Sequence, residues 1–261
     1  MLADQGIYVA SESTFYRVLK AQQMLAHREN SHPPRHERPK ELIANAPNQV
    51  WSWDITYLRT SILGSFFYLY LVVDIFSRKV VGWELADHES AELASKMIRK
   101  ACLREGISPN QLFIHSDNGG PMKGATMLAT LRHLGVLPSF SRPSVSDDNA
   151  FSEALFRTLK YRPWYPNRPF QSLDEARTWV EQFVRWYNTE HLHSGISFVT
   201  PECRHQGRDV LVLEKRKRVY ELAQRQNPNR WTRAMRAWNS IPFVPLNPLR
   251  KETEAATKAL A

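Results

Sequence analysis

Residues 50–85 read VWSWDITYLRTSILGSFFYLYLVVDIFSRKVVGWEL, and this stretch decides the fold. From Trp51 to Tyr57, large apolar side chains alternate with small or polar ones, which predicts a half-buried strand with Asp54 at the middle of its polar side. The apolar run that begins at Phe66 predicts a second strand. A turn near Ser77 leads into a third strand, and this short connection indicates an antiparallel hairpin.

Helices and strands alternate downstream of this hairpin. Ser90 predicts the start of a helix that Gly106 ends, and residues 111–120, QLFIHSDNGG, predict a short buried strand followed by a turn. A helix over 124–134, a short strand over 136–141 and a further helix follow. Three strands and then alternating helices and strands indicate an α/β protein with a mixed sheet and flanking helices, the order of a ribonuclease-H-like fold.

The segment before the sheet predicts a small separate element and a linker. Within residues 1–30, a turn at Gly6 and a cap at Ser11 or Ser13 precede an amphipathic helix, which is typical of the second half of a helix-turn-helix and equally of any short surface helix. Residues 31–47 are basic and rich in proline, which predicts a linker. The sheet and its helices then occupy residues 48–200.

Charge and composition favour a nucleic-acid partner. The net charge is +9, and residues 204–236, within a basic C-terminal region over 201–261, hold ten Lys or Arg against three Asp or Glu. Such a surface suits a phosphate backbone, although a solvated charged helix has the same composition. Two distant cysteines predict a reduced, cytoplasmic protein, and the longest apolar run, Phe66–Val73, is too short to cross a membrane.

Three acids in three different elements suggest a catalytic metal site. Asp54 lies in mid-strand, Asp117 lies where a strand meets a glycine turn, and Glu153 lies in the first turns of a predicted helix. Carboxylates that converge repel one another unless a cation is present, and a set of oxygen ligands favours Mg²⁺ or Mn²⁺. Two such ions support phosphoryl transfer, so the pattern indicates a metal-dependent phosphodiester chemistry.

Several motifs make a family resemblance specific. They are WSWDITYL, VVDIFSRKVVGW, HSDNGG, SRPSVSDDNAFSEALFRTLKY and YNTEHLHSGISFVTPE. Together they resemble the OrfB-type transposase of bacterial insertion sequences, in the retroviral-integrase-like DDE superfamily, from about residue 2 to residue 205. That family places 35 residues between its second aspartate and its glutamate, as between Asp117 and Glu153, and a basic residue seven positions later, here Lys160.

The resemblance implies an activity and a set of partners. It implies a DDE transposase whose integrase catalytic core cleaves DNA and transfers the strand, with Asp54, Asp117 and Glu153 as catalytic ligands of two Mg²⁺ or Mn²⁺ ions. The expected partners are the terminal repeats of the element, target DNA, the upstream OrfA product and further copies of the chain on DNA. We expect a cytoplasmic protein associated with the bacterial nucleoid. The candidate DNA-binding residues are Lys160, Asn149, Arg157, Arg142 and Lys123.

Two other functions remain open from the sequence. A ribonuclease H or junction-resolving nuclease shares the fold, but such enzymes usually use four carboxylates and lack the 35-residue gap. An inactive DNA-binding remnant of a transposase is the third reading. We expect no His/Cys zinc domain of the kind that retroviral integrases carry. Asp147 and Asp148, five to six residues before Glu153, are predicted to cap the helix instead of binding metal.

Overall fold

The computed structural model describes residues 11–22, 41–141, 149–162, 164–231 and 235–246. Two compact units are present, residues 1–38 and 39–261. In the first unit, α1 (Glu12–Ala21) begins where the Ser11 side chain accepts a hydrogen bond from the amide of Thr14, as predicted. The predicted turn at Gly6 lies outside the described residues, so the helix-turn-helix stays a prediction.

A five-stranded mixed sheet forms the centre of the second unit and confirms the predicted fold. Its strand order is β4-β3-β2-β5-β6. The β2–β3 and β3–β4 pairs are antiparallel, whereas the β2–β5 and β5–β6 pairs are parallel. The strands are β2 (Val50–Arg59), β3 (Phe66–Asp74), β4 (Val80–Ala86), β5 (Phe113–Ser116) and β6 (Leu137–Phe140).

Helices cover both faces of this sheet, and the alternation of β2 decides which residues face which layer. Trp51 and Trp53 pack on one face of the sheet, against the helices that flank β5 in the sequence. Leu58 packs on the opposite face, against the helices that follow β6. The first layer contains α2 (Ala91–Arg104), α3 (Gly120–Lys123) and α4 (Ala125–Leu134). The second layer contains α5 (Ala150–Lys160) and α6 (Leu173–Thr189).

The predicted helix signals act as expected. The Ser90 hydroxyl accepts hydrogen bonds from the amides of Glu92 and Leu93 at the start of α2, and Gly106 follows its end with φ of +64°. The same kind of cap begins α6, where the Ser172 hydroxyl accepts a hydrogen bond from the amide of Glu175 at 3.1 Å. No helix in the described part of the chain has the length and apolarity needed to span a bilayer.

The chain segments on either side of the sheet pack onto it. β1 (Ile43–Ala44) pairs with β7 (Val244–Pro245), and Ala44 and Val244 share a small core with Ile75. The folded unit therefore begins inside the segment predicted as a linker over 31–47. The C-terminal region contributes α7 (Pro201–His205) and the predicted basic helix, α8 (Asp209–Gln226).

A hydrogen-bonded network ties α7 to the β3–β4 turn and to the end of α2. His205 contacts the Ser77 hydroxyl at 2.9 Å and the Glu105 carboxylate at 2.9 Å, while Lys79 donates to Glu105 at 3.3 Å. Burial alone would raise the pKa of Glu105. The His205 hydrogen bond and the positive charge of Lys79 outweigh burial and lower that pKa to about 2.

This network predicts how stability depends on acidity. Because the pKa of Glu105 in the fold lies below its ordinary value of 4.5, its contribution to stability is present above about pH 4.5 and is lost as the pH falls toward 2. We expect Glu105→Gln to lower the free energy of unfolding at pH 7 by about 1–2 kcal/mol and to flatten its dependence on pH in that window.

Urea unfolding at a series of pH values measures both effects. The control is Glu181→Gln, which changes an exposed acid on α6. The same pH dependence in wild type and Glu105→Gln would contradict the assignment.

Candidate active site

The register of two neighbouring strands brings Asp54 and Asp117 together. β2 and β5 run parallel, and their last described pair is Ser52 with His115. Asp54 lies two residues after Ser52, and Asp117 lies two residues after His115. The register therefore places the two aspartates side by side, just beyond the last hydrogen-bonded pair of β2 and β5. Adjacent strands are about 4.8 Å apart, which is close enough for their carboxylates to interact.

A buried hydrogen-bonded cluster holds α5 against the same face of β2. The Ser52 hydroxyl donates to Oδ1 of Asn149 at 2.5 Å and lies 2.7 Å from the hydroxyl of Ser152. Since the single proton of Ser52 goes to Asn149, Ser152 must donate to Ser52. Nδ2 of Asn149 donates to the Trp53 carbonyl at 3.4 Å. We call Ser52, Asn149 and Ser152 the docking cluster, and all three are buried.

The docking cluster fixes the position of Glu153. Glu153 follows Ser152 directly in the first turn of α5 and is exposed to solvent, while Asp54 and Ser52 lie on one face of β2 because they are two residues apart. The start of α5, and with it Glu153, is thereby tied to the strand that carries Asp54. The sequence-predicted trio is therefore brought to one region of the sheet.

The electrostatics of Asp54 agree with this placement of the acids. Burial is the largest influence, and repulsion from the Asp117 and Glu153 carboxylates adds to it, so that the pKa of Asp54 rises to about 7. A hydrogen bond of 2.7 Å from the Ile55 amide acts in the opposite direction without overcoming them. Asp54 thus lies where the charges of Asp117, Glu153 and Glu89 add to one another.

The glycine turn after β5 holds Asp117. The Gly119 amide donates to Oδ1 of Asp117 at 3.0 Å, and Nδ2 of Asn118 donates to the Ser141 carbonyl at 2.6 Å. A side chain at Gly119 would place its Cβ 3.2 Å from Oδ1 of Asp117 and 2.7 Å from the sulfur of Met122. A larger residue at this position would require Met122 to shift and would press on the Asp117 carboxylate, which favours glycine at the first of the two glycines in HSDNGG.

The donor chemistry of the trio suits a divalent cation. All candidate ligands are carboxylate oxygens, the type that Mg²⁺ and Mn²⁺ prefer, and their mutual repulsion is what a cation relieves. Within the described ranges, no three His, Cys, Asp or Glu side chains form a group tight enough to hold a metal ion. The carboxylates share a region without forming a closed set of ligands.

The predicted DNA-binding residues have different environments. Arg157 and Lys160 are exposed on α5, and Lys123 is exposed with its Nζ 5.1 Å from the centre of the Phe140 ring. Asn149 is buried and commits its side chain to β2, which argues against the predicted direct contact with DNA. Arg142 lies outside the described residues, as do Asp147 and Asp148; the N-cap position of α5 is Asn149.

Sequence reasoning missed three residues around the site. Ser52 and Ser152 complete the docking cluster; the only signal for them was that Ser52 shares the polar side of β2 with Asp54. Glu89, in the loop before α2, accepts a hydrogen bond from the Tyr57 hydroxyl at 3.0 Å and adds a weak repulsion to Asp54. No periodicity or spacing in the sequence connects Glu89 to the trio.

Comparison with known proteins identifies the family. Two family models, both described as integrase core domain, match residues 44–146 and 134–201, and together they span more than half of the chain. The chain belongs to the integrase core family. The two matches overlap over residues 134–146, which include β6, and together they contain all three acids of the trio.

Relatives of this integrase core include transposases. The chain is 34% identical over 160 residues to the transposase for insertion sequence element IS904 of Lactococcus lactis subsp. lactis (strain IL1403), which covers 61% of the chain and 62% of that protein. It is 32% identical over 164 residues to transposase InsF for insertion sequence IS3A of Escherichia coli (strain K12), covering 62% and 56%. The matches therefore span less than two thirds of these relatives.

A solved structure supports the fold. A chain of the simian T-cell lymphotropic virus intasome in complex with PP2A regulatory subunit B56 gamma superposes with a TM-score of 0.52 at 19% identity. The superposition covers 75% of this chain and 70% of that one. At this identity the likeness concerns the ribonuclease-H-like architecture alone.

The docking cluster leads to a stability prediction. Ser152→Ala leaves the buried Ser52 oxygen without its donor, and an unsatisfied buried polar group costs about 1–3 kcal/mol. We expect the free energy of unfolding, measured by urea titration, to fall by that amount. Thr178→Ala is the control, because it removes an exposed helical hydroxyl that bonds only within α6. If both substitutions lowered the free energy of unfolding by the same small amount, the docking cluster would not stabilise the fold as proposed.

Proposed function

We propose that the chain is a DDE-type transposase that cleaves DNA at the ends of an insertion sequence and transfers the strand to target DNA. The observation that supports the proposal is the parallel register of β2 and β5, which brings Asp54 and Asp117 to neighbouring positions, together with the hydrogen bonds that hold the first turn of α5 against β2. The kinship with insertion-sequence transposases supports it. One phosphodiester replaces another in this reaction, so no external energy source is needed.

The trio is the proposed holder of two Mg²⁺ or Mn²⁺ ions. Bound ions would supply activation of the attacking oxygen and charge neutralisation at the leaving oxygen of the phosphodiester. Asp54 contributes a carboxylate from a rigid central strand, Asp117 contributes one from a turn fixed by the Gly119 amide, and Glu153 contributes one from α5. Holding these groups in place before DNA arrives lowers the cost of ordering them during the reaction.

Basic side chains beside the trio are the proposed DNA contacts. Lys160 lies seven residues after Glu153, close to two helical turns, so the two residues share a side of α5 and Lys160 can reach a phosphate about 10 Å away along the helix. Arg157, Lys123 and Arg142 are further candidates for phosphate contacts. Such contacts position DNA without reading its sequence.

The wider assembly is also proposed. The element's terminal repeats and target DNA are the expected DNA partners, and the net charge of +9 favours association with polyanions. An upstream OrfA product would add recognition of the element ends, and two or more copies of the chain would act on two DNA ends. We place the protein in the bacterial cytoplasm, on nucleoid DNA.

Removal of the Glu153 charge tests the catalytic assignment. We expect Glu153→Gln to abolish transfer of a labelled, pre-cleaved element end in Mg²⁺ while its affinity for DNA changes little, because the change removes a metal ligand and no phosphate contact. Gel electrophoresis of the products measures transfer, and fluorescence anisotropy measures binding.

A matched control separates catalysis from general damage. Glu181→Gln makes the same chemical change on the exposed side of α6 and should leave strand transfer intact. Wild-type levels of strand transfer by Glu153→Gln would contradict the assignment of Glu153 to the metal site.

A further inference from the structure

A cavity of about 390 Å³ lies where the ends of β2 and α5 meet the segment that joins α5 to α6. That segment, the α5–α6 connection, spans residues 161–172. The Phe170 amide donates to the Arg59 carbonyl at 3.0 Å, and the Ser61 amide donates to the Phe170 carbonyl at 3.1 Å. The connection is thus fastened to the end of β2 by backbone bonds, and the cavity is part of the folded unit. Its volume falls in the range of ordinary ligand sites.

The lining of this cavity is basic. Arg59 and Lys160 line it, and neither forms an ion pair with an acid of the described residues. Burial and the neighbouring charge of Arg59 lower the pKa of Lys160, which agrees with two cations that face a common space. A third cation of the lining, Arg168, is paired with Glu175 at 3.1 Å. Two like charges without a counter-charge are the arrangement that an anion stabilises.

Aromatic rings provide the rest of the lining. Tyr57, Tyr161, Tyr165 and Phe170 all contribute to it. Tyr161 is 82% exposed, although a large apolar ring usually gains from burial. Tyr165 is held edge-on against Phe170 and Trp179, with ring centroids 6.5 and 5.2 Å apart. An exposed ring and a fixed ring beside two cations combine the stacking surface and the phosphate contact that nucleotides need.

The cavity is tied to the catalytic trio through shared elements. Lys160 follows Glu153 by seven residues on α5, which corresponds to about 10 Å because a helix rises 1.5 Å per residue. On β2, Tyr57 lies about 10 Å from Asp54 along the strand, although its side chain leaves the opposite face because the spacing is odd. That separation equals about three base steps of a DNA strand at 3.4 Å each.

We propose that this cavity binds an unstacked nucleotide of the DNA strand, a few nucleotides from the phosphodiester at the catalytic trio. Arg59 and Lys160 hold its phosphate, and the ring of Tyr161 stacks on its base. The inference rests on the proposed function, because it takes DNA as the substrate of the neighbouring site. The bound nucleotide would fix the strand end relative to the three acids.

Binding measurements on the full chain test the cavity without catalysis. The probe is a DNA duplex with a single-stranded extension of three nucleotides that carries 2-aminopurine, in EDTA so that no strand is cut. Fluorescence anisotropy gives the affinity at several salt concentrations, and 2-aminopurine emission reports stacking. A blunt duplex of the same sequence shows whether binding depends on the extension.

Four substitutions give distinct expected results. Tyr161→Ala should remove the quenching of 2-aminopurine and weaken binding of the extended duplex roughly tenfold, whereas Tyr161→Phe should retain both because it keeps the ring. Arg59→Ala should weaken the extended duplex and reduce the salt slope by about one. Lys100→Ala, an exposed cation on α2 over the other face of the sheet, should behave as wild type.

The cavity and the proposed function can fail separately. Wild-type quenching and affinity in both Arg59→Ala and Tyr161→Ala would overturn the nucleotide site, as would an equal loss on the blunt duplex or in Lys100→Ala. Strand transfer by the wild-type chain is measured in parallel with Mg²⁺. Transfer without cavity-dependent binding overturns the cavity alone, and cavity-dependent binding without transfer on any element end overturns the proposed function alone.

Discussion

The arrangement of the site depends on the contact between β2 and the first turn of α5. On the side of that turn that faces the sheet, the Ser52 hydroxyl forms hydrogen bonds with Asn149 and Ser152, and all three side chains are buried. Because the contact is made of short, directional hydrogen bonds, it permits one seating of α5 on the strand. That seating brings Glu153 to Asp54 and, at the other end of the helix, Lys160 to the cavity beside Arg59.

β2 and α5 carry both the acids that repel one another and the basic residues of the cavity. Folding leaves Asp54 half-buried near two further carboxylates, and burial together with their repulsion raises the pKa of Asp54 to about 7. Carboxylates that lie close together repel one another, and a bound divalent cation relieves that repulsion. The cavity on the same strand and helix has the opposite charge, because Arg59 and Lys160 line it. An anion would stabilise these two cations. Together the acids and the cavity suit a phosphodiester strand that runs from one to the other.

The sequence predicts the local part of this account and misses the long-range part. The strand at β2, the hairpin after Phe66 and the serine cap of α2 are local signals, and each is confirmed. The prediction of a strand buried on one side is wrong, because helices cover both faces of the sheet: Ser52 and Thr56 on the polar side are buried, and Tyr57 on the apolar side is half exposed. The parallel register of β2 and β5 joins segments 63 residues apart, and no pattern within either segment specifies it. For the same reason the sequence places Asn149 among the DNA contacts and indicates neither Ser152 nor the cavity lined by Phe170, because their contacts cross the fold.

The central claim is that Asp54, Asp117 and Glu153 form one cation site. Titration of Mn²⁺ into the DNA-free chain, followed by electron paramagnetic resonance of the unbound ion, tests it most directly. The account predicts that Asp54→Asn, Asp117→Asn and Glu153→Gln each weaken Mn²⁺ binding, while Glu181→Gln binds as wild type. Wild-type Mn²⁺ affinity in Asp54→Asn would contradict the account.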